Sequence, residues 1–148
     1  MFSDGAARLL VFRVGSERFA VELSSVSEAI DTPVLQSVPD APPTLLGITM
    51  LRGAFIPIHD LRPLLRAGAG MMGGALLFER DGRTVGLAID DVYDALLVEA
   101  HELRPAPGVD GSDALLLGLV RRGTDLIAVL DADALLAAVR TETEGQRV

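Results

Sequence analysis

The chain of 148 residues contains no cysteine, no lysine, no asparagine and no tryptophan. Each absence removes a class of function. Without Cys there is no disulfide, no thiolate nucleophile and no Cys-ligated zinc, and the redox compartment is left open. Without Lys there is neither a Walker phosphate loop nor a Schiff-base enzyme. The Gly-rich stretch "AGAGMMGG" at 67–74 therefore reads as a flexible connector rather than a phosphate cradle. All 13 cations are Arg, against 21 Asp and Glu, for a net charge of −8. That balance argues against non-specific binding to nucleic acid or to anionic membranes, since both need a basic surface. No window approaches the roughly 18 uninterrupted apolar residues of a membrane span. The start, "MFSDGAARLLVFRVG", lacks the basic segment and long apolar run of a signal peptide. A cytoplasmic protein is expected.

What is present is an aliphatic globular composition, 49 % hydrophobic with one Tyr, and a length that suits one domain. The chain is also written twice. Shifted by 66, residues 10–30 lie on 76–96 without a gap: Leu10 falls on Leu76, Phe12 on Phe78, Val26 on Val92 and Ala29 on Ala95. Shifted by 71, residues 46–65 lie on 117–136, with Leu46, Gly47, Ile56, Asp60, Leu64 and Leu65 recurring as Leu117, Gly118, Ile127, Asp131, Leu135 and Leu136. The shifts differ by 71 − 66 = 5, so the second copy carries five more residues, placed in the loop "RPAPGVDGSDA" at 104–114. The domain spans about 8–138, its copies about 8–65 and 75–138, with frayed ends at 1–6 and 141–148.

Each copy has one local plan. Apolar runs at 8–14 and 17–23 form a hairpin. "SSVSEAI" reads as one or two helical turns, with Ser25 and Glu28 at capping-box spacing and Asp91 and Asp94 as the matching pair. "VLQSVP" is a candidate strand ended by Pro39. "GITML" and "AFIPI" are strands around an Arg52–Gly53 turn, and Asp60 caps the short helix "LRPLL". Copy two gives strands at 75–80, 84–89, 96–99, 117–121 and 126–130, then a helix from Asp131 to about Arg140. Five short strands per copy suit a small barrel, and two barrels side by side bury their shared edges.

Catalytic and metal chemistry finds little support. His59 and His101 are the only His, too few for the ligand set that "HD" at 59–60 would need. His59 reads as a strand-end residue and His101 as solvated. "LAIDDVYD" at 87–94 has the strand-then-Asp-Asp opening of a phosphoacceptor, but no Lys accompanies it, and Asp90 and Asp91 read as helix caps. Ser24 and Ser25 have no visible base. Met71 and Met72 read as incidental to the connector. A binding module is favoured over an enzyme, with no cofactor and no metal. The runner-up from another class is a small enzyme or ligand-binding barrel with a carboxylate site at Asp90, Asp91 and Asp94.

"LLVFRVGSERFAVELSSVSEAI", "SVPDAPPTLLGITMLRGAFIPIHDLRPLL" and "GLAIDDVYDALLVEAHELRPAP" together resemble the CheW family of chemotaxis coupling proteins, over residues 8–138. The resemblance implies a mainly β fold of two five-stranded SH3-like β-barrel subdomains related by a pseudo-twofold, with short helices. It implies a non-catalytic adaptor that links the cytoplasmic tip of chemoreceptors to the regulatory domain of a histidine autokinase, in chemotaxis, pilus motility or another chemosensory-like pathway. The implied coupling residues are Arg52, Glu28, Val26, Ile30, Phe55 and Gly47. Met50 stands where the family often has Asn. Arg52 falls on Gly123 in the repeat, so the hairpin is common to both copies and the arginine is not. Two readings stand for it: Arg52 pairs with Glu28 and shapes a receptor-facing groove, or Arg52 only solvates a turn while Glu28 closes a capping box. Val26, Ile30 and Phe55 are groove wall or core, and Gly47 serves backbone geometry.

Overall fold

A computed structural model describes residues 5–105 and 115–145. The strands are β1 (Ala6–Val14), β2 (Glu17–Glu22), β3 (Glu28–Asp31), β4 (Leu45–Leu51) and β5 (Ala54–Asp60), then β6 (Gly74–Arg80), β7 (Arg83–Ile89), β8 (Asp91–Glu99), β9 (Leu116–Arg122) and β10 (Asp125–Leu130). Helix α1 (Arg62–Leu65) follows β5, and α2 (Ala132–Gly145) follows β10, running past the expected end near 140. Residues 1–4 and 146–148 of the expected loose ends, and most of the expected insertion, lie outside the described residues.

The ten strands form two five-stranded sheets, ordered β8-β1-β2-β10-β9 and β3-β6-β7-β5-β4. Replacing each strand of the second order by the one five places on or back returns the first. The duplication is therefore in the fold, but one copy does not make one barrel. Each sheet takes the first hairpin of one copy and the last three strands of the other. The exchange is made by two antiparallel pairings, β1 with β8 and β3 with β6, and by two parallel ones, β2 with β10 and β5 with β7. Even their register repeats: Val129 lies opposite Ala20, and Ile58 opposite Gly86.

Burial follows from this interlock. Alternate side chains of a strand point to opposite faces, and β1 and β6 are covered on both. Leu9 and Val11 of β1 face a small core within the first sheet, with Val98, Val120 and Ile127. Leu77 of β6 faces the equivalent core of the second, with Ile56 and Ile58. The other faces, Leu10, Phe12 and Val14 of β1 and Leu76 and Phe78 of β6, meet in a larger shared core closed by Leu61 and by Leu135, Leu136 and Val139 of α2. That is why "LLVF" and "ALLF" read as unbroken apolar runs.

Three local expectations are corrected. Residues 24–30 are not helical turns: a 3₁₀ turn at Leu23–Ser25 leads straight into β3, and no Ser25–Glu28 capping box forms. Residues 90–94 open no helix either, since β8 begins at Asp91. At both places pairing with a neighbouring strand, Ala29 with Leu76 and Ala95 with Leu10, wins over the local cap. The expected strand at 34–39 is one bridge, Gln36 to Ile48. Asp60 does receive the first helical N–H of α1, from Arg62 at 3.0 Å. Asp131 does the same for α2, accepting from Asp133 and Ala134.

Candidate functional site

Arg52 sits at the tip of the β4–β5 hairpin, between the paired Leu51 and Ala54. Its φ is 51° and that of Gly53 is 81°. Two positive φ values in a two-residue turn are type I′ geometry, which favours Asn-Gly and disfavours a long side chain at the first place. The sister turn, Gly123–Thr124, is of another type, with a positive φ at Gly123 (61°) alone. Arg66 and Asp81 also hold a positive φ, at a helix end and in a turn, so what sets Arg52 apart is what its side chain does. Its Nη1 donates to Glu28 Oε1 at 2.8 Å and its Nη2 to Oε2 at 2.6 Å. The fork is bidentate, the arrangement in which guanidinium and carboxylate geometries match. The hydrogen bonds from Arg52, helped by its charge, hold the Glu28 carboxyl below its usual range. The pair stands in the open, with the Arg52 side chain 69 % and the Glu28 side chain 34 % exposed.

The sister sheet builds its fork from other positions. Asp94 occupies the place of Glu28, and the nearby arginine, Arg122, turns instead to Glu102, with two bonds at 3.1 Å, and to the Leu97 carbonyl at 2.7 Å.

Around the fork the six sequence candidates separate. Phe55 is 63 % exposed, and its cross-strand partner Met50 is 61 % exposed. Both lie on the hairpin whose turn holds Arg52. Ile30 is half-buried and packs against the core of its own sheet, and Val26 packs against the shared core. Gly47 is buried beneath the crossing segment, where an added Cβ would stand 2.7 Å from the Gln36 carbonyl oxygen. Gly118 approaches Arg104 in the same way. Met50 is the surface residue that sequence reasoning undervalued; its register opposite Phe55 is the signal that finds it.

The carboxylate alternative does not assemble. The Asp90 side chain is 2 % exposed and fully engaged: Arg62 Nη2 donates to Oδ1 at 2.8 Å, the Gly15 N–H donates to Oδ2 at 3.2 Å, and Arg13 lies 3.5 Å away. Asp91 accepts from the N–H of Val92, and Asp94 is exposed on β8. Among the described residues no group of three His, Asp or Glu is placed to hold a metal ion. The expected flexible connector is also packed onto Asp90. A Cβ at Gly70 would overlap Oδ2, and one at Gly73 would overlap the Asp90 carbonyl oxygen. Asp90 thus ties together the β1–β2 turn, α1 and the connector.

Among the described residues no helix is long and apolar enough to cross a membrane. The chemotaxis protein CheW of Rhizobium meliloti (strain 1021) is 28 % identical over 145 residues, which covers 95 % of this chain and 94 % of that protein. Protein FrzA of Myxococcus xanthus is 30 % identical over 135 residues, covering 87 % and 84 %. In a crystal structure, the scaffolding protein TtCheW from Thermoanaerobacter tengcongensis superposes with a TM-score of 0.73 at 22 % identity, over 84 % of this chain and 88 % of that one. The two-sheet fold is therefore one already seen in a scaffolding protein. With a CheW-like domain matched over residues 8–140, nearly everything from β1 to α2 is accounted for, and the chain belongs to the CheW-like family.

Proposed function

We propose that this chain is a non-catalytic cytoplasmic adaptor that couples the cytoplasmic tip of chemoreceptors to the regulatory domain of a histidine autokinase. Family membership supports the adaptor role. The observation that supports the assignment of a face is the Arg52–Glu28 fork, which starts from the turn residue itself and stands in the open, whereas the sister sheet's Arg122–Glu102 fork starts from a strand residue and is more covered. Folding needs what both copies keep; partner recognition explains what one copy adds. Arg52, Glu28, Phe55 and Met50 form the receptor-facing surface, with Ile30 and Val26 supporting it from below. Gly47 belongs to the backbone beneath the surface. The interface is a modest one, near the low end of about 1,200 Å², and an array supplies avidity.

The test is a pair of binding titrations, one against a receptor tip and one against the kinase regulatory domain, with Arg52→Gly alongside. Glycine accepts the turn, so this variant isolates the side chain. It should keep kinase binding and lose receptor binding by at least about tenfold, roughly 1.4 kcal/mol. Receptor binding equal to that of the parent would refute the assignment.

A further inference from the structure

A cleft of about 410 Å³ opens between β5, the β6–β7 turn and α2. That is within the roughly 300–1,000 Å³ range of small-ligand sites. Its walls are apolar, with Phe55, Phe78 and Leu136 among them, and its titratable lining residues are His59, Arg80 and Arg83. In a chain with a net charge of −8, no carboxylate lines it among the described residues.

The repeat shows that this chemistry was added to one side. By the 66- and 71-residue shifts, Arg80, Arg83 and His59 fall on Val14, Glu17 and Leu130. The sister hairpin thus presents an apolar residue and an acid where this one presents two arginines. The sister hairpin has its own cross-strand arginine pair one step further from the turn, but both members are taken: Arg13 lies 3.5 Å from Asp90, and Arg18 lies 3.6 Å from Asp125 and is stacked 4.4 Å over the Tyr93 ring. The apolar wall is one-sided too, because α1 spans only Arg62–Leu65 where α2 supplies Leu136 and Val139.

Arg80 and Arg83 are directly paired across the hairpin, with Asp81 and Gly82 in the turn between them. Like charges placed opposite one another destabilise a hairpin unless an anion compensates. Asp133 offsets part of this, with its Oδ1 accepting from Arg80 Nε at 3.1 Å. Arg83 is exposed. On the cleft lining, His59 is 3 % exposed and its Nδ1 is engaged with Thr44 Oγ1 at 2.9 Å. When Thr44 donates to Nδ1, the ring proton is on Nε2, where it is available as a donor.

We propose that this cleft binds a small amphiphilic carboxylate, with its apolar body against Phe78 and Leu136 and its carboxylate on the fork of Arg83. A carboxylate is favoured over a phosphate dianion because Arg80 is engaged by Asp133, which leaves one guanidinium to set the charge of the ligand. The site is independent of the adaptor reading, although Phe55 belongs to both surfaces.

The test uses the full chain, ¹⁵N-labelled, titrated with decanoate, decanol and decyl phosphate below their micelle-forming concentrations. Decanoate should give saturable shifts confined to residues 54–59, 78–85 and 135–139, and should bind at least about tenfold more tightly than decanol. Arg83→Glu, which copies the residue of the sister hairpin at an exposed position and replaces a like-charged cross-strand pair by an opposite one, should weaken decanoate binding at least about tenfold with thermal unfolding no lower than the parent's. Absence of saturation, shifts spread over the whole surface, or equal binding to the Arg83→Glu variant would overturn the proposal. Binding of decyl phosphate without decanoate would overturn the carboxylate assignment.

Discussion

Asp90 and Gly70 give the sharpest stability test, because one explains the other. Removing the Asp90 carboxylate strands Arg62, whose side chain is 20 % exposed and whose Nε already has no partner. Breaking a buried pair from one side costs about 3–5 kcal/mol. Arg62 keeps Asp60 at 3.2 Å and some access to water, so Asp90→Ala should cost about 2–4 kcal/mol. Gly70→Ala attacks the same point from the connector. Its methyl group would overlap Asp90 Oδ2 and stand 2.8 Å from Asp90 Cγ, an overpacking cost of about 1–3 kcal/mol. In an Asp90→Ala background both obstacles are gone. What remains is Arg62 Nη2, 2.9 Å from the new methyl group, at the free end of a long side chain. There Gly70→Ala should be nearly neutral, or stabilising by about 0.5 kcal/mol through the unfolded chain. Urea denaturation of the four proteins should therefore give a coupling of about 1–3 kcal/mol, with the double variant much less destabilised than the sum. For a chain of this size each kcal/mol is worth about 2–4 °C in Tm. Additivity within about 0.5 kcal/mol would refute the account of the connector as a strap packed on Asp90.

Two further expectations concern Gly47 and His59. Gly47→Ala and Gly118→Ala should each lower stability by about 1–3 kcal/mol, because both crowd a backbone carbonyl in equivalent crossings. Loss of receptor binding by Gly47→Ala without loss of stability would move Gly47 into the docking face. Burial pushes the pKa of His59 below its ordinary value of 6.5. The folded state thus takes up a proton less readily than the unfolded chain. Stability is full above about pH 6.5 and falls as the pH drops from there towards the folded pKa. Chemical denaturation between pH 8 and pH 5 should show this decline, and an NMR titration placing the His59 ring at or above 6.5 would contradict it.

The sequence carried the elements that local chemistry dictates: both hairpins of each copy, the Arg52–Gly53 turn, and Asp60 and Asp131 at the starts of the helices. It did not carry the exchange of hairpins between copies. That depends on pairings between residues far apart in the chain, such as Ala20 with Val129, and such pairings leave no local pattern. β3 and β8 were misread for a related reason. The Ser25–Glu28 and Asp91–Asp94 spacings satisfy a capping rule, yet strand partners and Arg52 claim those groups in the folded chain. The glycines at 70 and 73 suggest freedom and in fact mark close approach to Asp90, which is 20 and 17 residues further on and so outside any local pattern. The difference between the copies at 52 and 123 marks Arg52, while its pairing with Glu28 is one of two readings open to the sequence and is decided by the fold. Met50 was noticed only as a departure from the family, because its exposure depends on the register opposite Phe55.

The most direct measurement is reconstituted coupling: the autophosphorylation rate of the kinase with receptor present, with and without this chain, and with Arg52→Gly in its place. The account predicts that the parent chain raises the receptor-controlled rate. It predicts that Arg52→Gly, folded and still bound to the kinase regulatory domain, does not. A parent chain without effect would contradict the adaptor reading, and an Arg52→Gly protein as effective as the parent would contradict the role given to the Arg52–Glu28 face.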